Sequence, residues 1–199
     1  MKKWLIPVII IGIVIIGIYM LTAGVYNTAV EKQEDALKTW ADVESAYQRR
    51  NDLISNLVKT VQGAAEFERG TLTDVIEARS KATSVNVDAS NMTEAQMQQF
   101  QAAQGQVSSA LSRLLVTVER YPDLKANQNF LQLQSQLEGT ENRINVARNR
   151  YNESVTVYNK YIRKFPNNIF VGMYGFDQMP RYEADEGSEN APEVEFDFE

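Results

Sequence analysis

The feature that most restricts how this chain can fold is a long uncharged apolar run near its N-terminus. No charged side chain occurs between Trp4 and Val30, and most residues of the run are Ile, Val, Leu, Gly, Tyr or Met. An α-helix rises about 1.5 Å per residue, so roughly 20 such residues cross the ~30 Å hydrocarbon core of a bilayer. The run predicts a transmembrane anchor over residues 1–25, in contact with lipid through residues 4–25.

Two alternatives to an anchor are a cleaved signal peptide and a buried core helix. The apolar region of a signal peptide is only about 7–15 residues long and leads to a small-residue cleavage site, and neither property fits this run. Lys2 and Lys3 precede the run, which favours a cytoplasmic N-terminus and an extracytoplasmic body. Lys32 and Lys38 follow it closely, so the charge difference across the run is small.

The composition excludes most kinds of catalytic and metal chemistry. The chain has no His and no Cys, which excludes disulfides, thiolate nucleophiles, His general bases and every His- or Cys-ligated metal site. We therefore assign no catalytic residue, no cofactor and no metal ligand. The chain carries 20 basic and 26 acidic side chains, and a net charge of −6 argues against a nucleic-acid partner.

The body of the chain, residues 26–166, has apolar side chains at alternating spacings of three and four, as in helices that pack along a seam. Short connections make neighbouring helices antiparallel. The fold class predicted is all-α: an N-terminal transmembrane helix followed by an antiparallel up-down four-helix bundle with long first and last helices. The four helices are expected over residues 26–68, near 71–85, from Thr93 to Tyr121, and over 124–166. Gly70 is the expected end of the first helix, and the alternative is that this helix continues past it.

Local signals mark the boundaries of the third helix. Thr93 and Gln96 have the spacing of a capping box, and Met92 and Met97 have the spacing of the hydrophobic contact that accompanies one. Pro122 is expected to end this helix and to fit the first turn of the next.

Four polar residues fall inside the apolar stripes of the two long helices. Antiparallel pairing places Glu44 opposite Arg148 and Asn51 opposite Glu141. We interpret these residues as a candidate structural polar ladder that fixes the register of the two helices. The alternatives are plain solvent exposure and a metal or proton site, although dimetal sites in helical bundles use His ligands that this chain lacks.

Arg49 and Arg50 form the densest cationic pair of the first bundle helix. Neighbouring residues on a helix point in different directions, so both cannot face the core. We expect one of them to pair or to extend along the surface, and the other to face solvent or a partner.

Two segments follow the predicted helices. Residues 167–182 are rich in apolar and aromatic side chains, and the last helix ends beside the membrane in this topology. Phe170, Tyr174 and Phe176 are therefore candidate membrane-interface residues, and the alternative is that they pack on the base of the bundle. Residues 183–199 contain 8 acidic and no basic side chains, which predicts a disordered acidic tail.

Three motifs stand in order along the body: YQRRNDLISNLV at residues 47–58, YPDLKANQNF at residues 121–130, and EGTENRI at residues 138–144. Together they resemble the LemA family of bacterial membrane-anchored proteins. Relatives usually carry a His before a glutamate at the position where Phe67 precedes Glu68 here. Any metal-binding role of that His is therefore absent from this chain.

The resemblance implies a single N-terminal span, a helical bundle and no established activity. Relatives are often encoded beside membrane metallopeptidases or other envelope proteins, so the resemblance implies a protein partner of such a kind. We expect a non-enzymatic interaction or scaffold module at the bacterial inner membrane. The alternatives are an accessory subunit of a membrane complex and a carboxylate-dependent hydrolase, which would need a cleft holding two carboxylates about 5–10 Å apart.

Overall fold

The structure, a computed structural model, describes residues 4–63 and 68–183, and the regular secondary structure in these residues is helical. The all-α class predicted from the apolar periodicity is confirmed. A short 3-10 turn over Ala89–Asn91 precedes the third helix. The helices in chain order are α1 Leu5–Gln62, α2 Arg69–Ser84, α3 Glu94–Val118, α4 Pro122–Lys125, α5 Gln128–Arg163 and α6 Asn167–Met173.

The first helix, α1, is continuous over 58 residues and contains both the apolar run and the first helix of the bundle. At about 1.5 Å per residue it is about 87 Å long. Within the described part of the chain, it is the one helix long and apolar enough to cross a membrane. Its large apolar side chains from Trp4 to Leu21 are exposed. The division expected between residues 1–25 and 26–166 thus falls inside a single helix.

The C-terminal end of α1 differs from the prediction. The helix ends at Gln62, and the N–H of Gly63 donates to the carbonyl of Lys59 at 3.2 Å. Gly70 lies instead in the first turn of α2, so the expected helix end at Gly70 is wrong. The last buried side chain of α1 is Val61. Gln62 and Gly63 after it are exposed, and residues 64–67, including Phe67, lie outside the described residues.

The start of the third helix follows the prediction. Thr93 and Gln96 form the capping box, in which the Thr93 hydroxyl accepts from the N–H of Gln96 at 3.3 Å. The Gln96 side-chain oxygen accepts from the N–H of Thr93 at 2.9 Å. Met92 and Met97 are both buried beside the box.

The last long helix starts later than expected. Pro122 opens the four-residue α4, and α5 begins only at Gln128. The side-chain oxygen of Asn127 accepts from the N–H groups of Asn129 and Phe130, at 2.9 and 3.3 Å. An Asn cap satisfies N–H groups that have no partner inside the helix, and it therefore defines a new helix start. The single helix predicted over 124–166 is thus divided into α4 and α5, and α6 lies beyond its predicted end.

The long helices pack in two pairs, α1 with α5 and α2 with α3. Their buried side chains form two apolar clusters. The lower cluster lies toward the apolar run and includes Trp40, Phe100 and Tyr151. The upper cluster lies toward the far end of the bundle and includes Ile54 and Phe130. The aromatic residues that recur at helical spacing on α1 and α5 are therefore core residues: Trp40, Tyr47, Tyr151 and Tyr158.

After α6 the chain reverses direction and runs back along α5. Gly175, with a φ of 74°, permits the reversal because a residue without Cβ adopts this backbone conformation freely. Residues 176–183, which we call the strap, then run antiparallel to α5. Asn159 bonds both the N–H and the carbonyl of Met179, at 3.0 and 2.8 Å. Asn152 bonds those of Tyr182 in the same way, at 2.9 and 3.1 Å.

These two side-chain amides, seven residues apart on α5, satisfy backbone groups of the strap that a neighbouring strand would otherwise bond. Two tyrosines beside them hold the strap further. The hydroxyl of Tyr158 donates to the carbonyl of Asp177 at 2.9 Å, and that of Tyr151 to the carbonyl of Pro180 at 3.0 Å. Burial raises the pKa of Tyr158 to about 12. Burial also raises the pKa of Tyr151 and of Tyr182 above the ordinary tyrosine value.

We predict that this packing makes the protein sensitive to alkali. Below pH 10 both folded and unfolded chains keep these phenolic protons, so the free energy of unfolding does not depend on them. Between about pH 10 and 12 the unfolded chain loses protons that the folded chain keeps, so the free energy of unfolding falls. Phenolate absorbance and circular dichroism, followed together on the full chain in detergent, should show part of the nine tyrosines ionising only as helix is lost. Ionisation of all nine near pH 10 with unchanged helix content would contradict this expectation.

Candidate functional site

Arg49 and Arg50 lie in the C-terminal part of α1 and point to opposite sides of its contact with α5. Arg50 is 2% exposed, whereas Arg49 is exposed and lines a groove on the outer surface. The two arginines therefore divide as the helix geometry requires: one is paired inside the bundle, and the other faces outward.

The guanidinium of Arg50 reaches between α3 and α5. Its Nη1 donates to the hydroxyl of Ser108 and to Oε1 of Glu141, both at 3.0 Å. Its Nη2 donates to the side-chain and backbone oxygens of Gln104. The ring of Tyr47 lies with its centroid 4.9 Å from the guanidinium carbon. A buried charge is costly unless it is paired, and this set of contacts offsets the loss of water.

This network forms a polar layer between the two apolar clusters. Tyr47 belongs to the lower cluster, and Leu53, two turns along α1, belongs to the upper one. On α3, Gln104 is likewise buried, with Phe100 in the lower cluster and Val107 in the upper. A sliding movement of α5 along α1 would separate Arg50 from Glu141, so we expect this ion pair to favour one register of the two helices.

One residue of the predicted polar ladder, Glu141, takes part in this network. Glu141 is the ion-pair partner of Arg50, its side chain being 39% exposed. Asn51, predicted to face Glu141, is buried, and its backbone carbonyl accepts from Arg79 Nε at 3.0 Å. This ion pair joins residue 50 of α1 to residue 141 of α5, one position along α1 from the predicted pairing of Asn51 with Glu141. One residue along an α-helix rotates the side chain by about 100°, which is why the neighbouring arginine makes the contact.

The other two ladder residues lie outside the hydrogen bonds of Arg50. Glu44 is exposed on α1. Arg148 is half-buried, with its guanidinium carbon 4.7 Å from the ring centroid of Tyr182 in the strap. Its Nη2 also donates to the carbonyl of Glu183 at 3.4 Å. Arg148 therefore contributes to holding the strap.

Arg50 and Arg148 line a cleft of about 300 Å³ between α1, α3, α5 and the strap. Tyr47 lies at the edge of this cleft, and burial is the main cause that raises its pKa. The phenol therefore stays protonated and able to donate a hydrogen bond. The acidic side chain in the lining is Glu141, which already pairs with Arg50. Over residues 4–63 and 68–183, no group of three or more His, Cys, Asp or Glu side chains is placed to hold a metal ion.

A second concave surface lies on the other side of α1 and α5, and we call it the outer groove. It has a volume of about 540 Å³. Arg49, Arg143 and Arg150 surround it, and Ala46 and Val146 are among the apolar residues between them. Val146 is 49% exposed. An apolar centre framed by arginines is typical of protein–protein contact surfaces.

The sequence analysis missed the outer groove and the two amides that hold the strap. Arg143 and Arg150 are seven residues apart on α5, with Val146 between them at spacings of three and four. An exposed apolar residue flanked in this way on one helix face is a usable signal. The repeated Tyr-Asn pairs at residues 151–152 and 158–159 are a second signal.

The predicted membrane-interface residues lie at the lower end of the bundle. Phe170 and Phe176 are partly buried and pack against the lower cluster. Tyr174 is 51% exposed. Ring contacts join Tyr26 of α1 to Tyr174 and Phe176, with centroids 5.1 and 5.6 Å apart.

We predict that the ion pair in the polar layer couples the two long helices energetically. Arg50→Met should lower the free energy of unfolding by about 3 kcal/mol, because buried partners on α3 lose their donor. Glu141→Gln should cost about 1 kcal/mol, since this carboxylate is partly exposed to water. Denaturant unfolding of the full chain in detergent should give a coupling energy for the pair of about 1 kcal/mol.

The control cycle combines Arg50→Met with Glu44→Gln, which changes an exposed carboxylate on the same helix. Additivity is expected there. Additive effects in the Arg50 and Glu141 cycle as well would show that their contact does not set the alignment of α1 and α5.

Comparison with known proteins identifies a family to which this sequence is similar. A family model described as the LemA family matches residues 39–196. Protein LemA of Metamycoplasma hominis is 26% identical over 179 residues, which cover 89% of this chain and 78% of that protein. Magnetosome protein MamQ 2 of Paramagnetospirillum magneticum is 26% identical over 175 residues, covering 79% of this chain and 64% of that protein.

Magnetosome protein MamQ of Magnetospirillum gryphiswaldense is 26% identical over 171 residues, covering 77% of this chain and 63% of that protein. The chain thus spans slightly less than two thirds of the length of these MamQ proteins. The family match includes the part of α1 that carries both arginines and every helix after it. The chain therefore belongs to the LemA family.

Proposed function

We propose that this protein is a single-pass, membrane-anchored interaction module without catalytic activity, and that it binds a protein partner through the outer groove. The observation that carries the proposal is the arrangement of Arg49, Arg143 and Arg150 around the half-exposed Val146. Arg49 comes from α1 and the other two arginines come from α5, so the groove exists only when the two helices are correctly aligned.

The anchor is the first part of α1. Its apolar side chains face outward along the whole stretch from Leu5 to Leu21, as expected of a helix in contact with lipid. We place it in the inner membrane of a bacterium, with the body outside the cytoplasm. Lys2 and Lys3 at the start of the chain support this orientation.

The groove selects a partner of particular chemistry. Arginine forms forked hydrogen bonds with carboxylates and keeps its charge at physiological pH. Asp42 at the edge is the acidic side chain in the lining, so the groove carries a net positive charge. An acidic segment with an apolar side chain at its centre is complementary to this surface. A partner in the envelope, such as a membrane metallopeptidase, fits the implication of the family resemblance.

Two alternatives have less support. A carboxylate-dependent hydrolase needs paired carboxylates in a cleft. In the cleft beside Arg50 the acidic lining residue is Glu141, which is a single carboxylate and not a pair. An accessory subunit of a membrane complex would use the same outer groove, and it differs from our proposal only in the identity of the partner.

We predict that a photoreactive benzoylphenylalanine in place of Val146 crosslinks the full-length protein, in native membranes, to a protein with an acidic, apolar-centred segment. The variant Arg49→Gln/Arg143→Gln/Arg150→Gln should reduce this adduct at least about tenfold, because charged anchors at an interface each contribute more than 1 kcal/mol. The measurement is adduct yield on a gel, with the attached protein identified by mass spectrometry.

The matched control is Lys160→Gln/Arg163→Gln/Lys164→Gln, which removes the same charge from a distant part of α5 and the residue after it. This control should leave the adduct unchanged. An adduct that persists in the arginine variant, or whose partner lacks acidic residues at the contact, would overturn the proposed groove function.

A further inference from the structure

The lower end of the bundle lies beside the point where the apolar run of α1 ends. We call residues 160–174, which comprise the last turn of α5, the following connection and α6, the foot. The hydroxyl of Tyr161 donates to the carbonyl of Val25 at 3.3 Å. The rings of Tyr26 and Tyr174 are in contact. If residues 4–25 span the bilayer, these contacts hold the foot at the level of the lipid headgroups.

The foot exposes large apolar side chains that its own helices do not cover. Phe165 is 80% exposed, Ile169 is 54% exposed and Met173 is 79% exposed. Ile169 and Met173 are one turn apart on α6 and lie on the same face. Phe170 and Val171 pack inward against the lower cluster, so α6 has a buried side and an exposed apolar side.

A basic hollow adjoins this apolar face. Lys160, Arg163 and Lys164 line it together with Arg181 of the strap, and its volume is about 360 Å³. The remaining lining residues are Thr156, Asn159 and Gln178, so no carboxylate lines the hollow. Four cations around one concave surface without a carboxylate make a site that favours phosphate-type anions.

We propose that the foot is a second membrane-contact site, in which Lys160, Arg163 and Lys164 bind the phosphate groups of anionic lipids while Phe165, Ile169 and Met173 enter the boundary between headgroups and acyl chains. The proposal rests on the membrane anchor proposed above. A free phosphate anion offers the same charge to the hollow. The lipid is the source we assign, because the apolar face and the end of the anchor lie beside the basic groups.

The first test measures which lipids the full-length protein keeps after extraction from vesicles of phosphatidylcholine and phosphatidylglycerol, by native mass spectrometry. We expect at least about tenfold preferential retention of phosphatidylglycerol, since each basic residue near an anionic surface strengthens its attraction to the headgroups. Lys160→Gln/Arg163→Gln/Lys164→Gln should abolish the preference. Arg49→Gln/Arg143→Gln/Arg150→Gln, with the same change in charge, should retain it.

The contribution of Lys2 and Lys3 is the same in both variants and cancels from the comparison. Three results would overturn the headgroup site: an equal loss of preference in both variants, no preference in the unmodified protein, and displacement of the lipid by inorganic phosphate at millimolar concentration. Failure of the anchor itself gives a different result, because the protein would then not float with vesicles in high salt at all.

The second test addresses the apolar face and uses the absence of Cys from the chain. Met173→Cys and Val116→Cys each provide a single attachment point for an environment-sensitive fluorophore, and these two positions are 79% and 71% exposed. In reconstituted vesicles the label at residue 173 should shift to the blue and be quenched by brominated lipid. The label on α3 at residue 116 should do neither, and equal behaviour of the two labels would contradict contact between the foot and the membrane.

Discussion

The antiparallel contact between α1 and α5 is the constraint on which the rest of the structure depends. Its apolar residues attract the two helices without selecting a register, because hydrophobic contact has little directional preference. The ion pair of the Arg50 guanidinium with Glu141 is the polar contact that we expect to select the register of α1 and α5, while Gln104 and Ser108 hold the same guanidinium from α3. The outer groove, the strap and the foot all use residues of α5 whose positions relative to α1 this alignment fixes.

The sequence was sufficient to predict the features that follow from periodicity. Alternating spacings of three and four gave the helical class and the antiparallel alignment, and the capping box gave the start of α3. The partner of Glu141 was misassigned to Asn51, because alignment of helix ends is accurate only to about one residue, which is about 100° of helix rotation. The strap was missed for another reason. Asn152 and Asn159 bind backbone groups of the strap. Because every residue type offers these groups, the side chains of the strap do not reveal the contact.

The functional surfaces that we propose are distributed along one helix. On α5, Arg143 and Arg150 face the outer groove, Asn152 and Asn159 face the strap, and Lys160 begins the foot. A helix offers several faces to different neighbours along its length, so one rod serves contacts of different chemistry. The division of basic residues between a groove on the body and a hollow at its lower end gives protein and lipid separate places to bind.

The continuity of α1 has a mechanical consequence. No Gly-rich or Pro-containing hinge interrupts the helix between the apolar run and Gln62, and Gly24 lies within regular helix. A tilt of the apolar run is therefore transmitted to the body, because the continuous α1 acts as a stiff lever. From residue 26 to the tip of α1 the lever arm is about 54 Å, so a change of about 10° in tilt displaces the tip by about 9 Å. An apolar helix that is longer than the bilayer is thick can tilt to fit it, and the distance of the upper cluster from the lipid surface would change with that tilt.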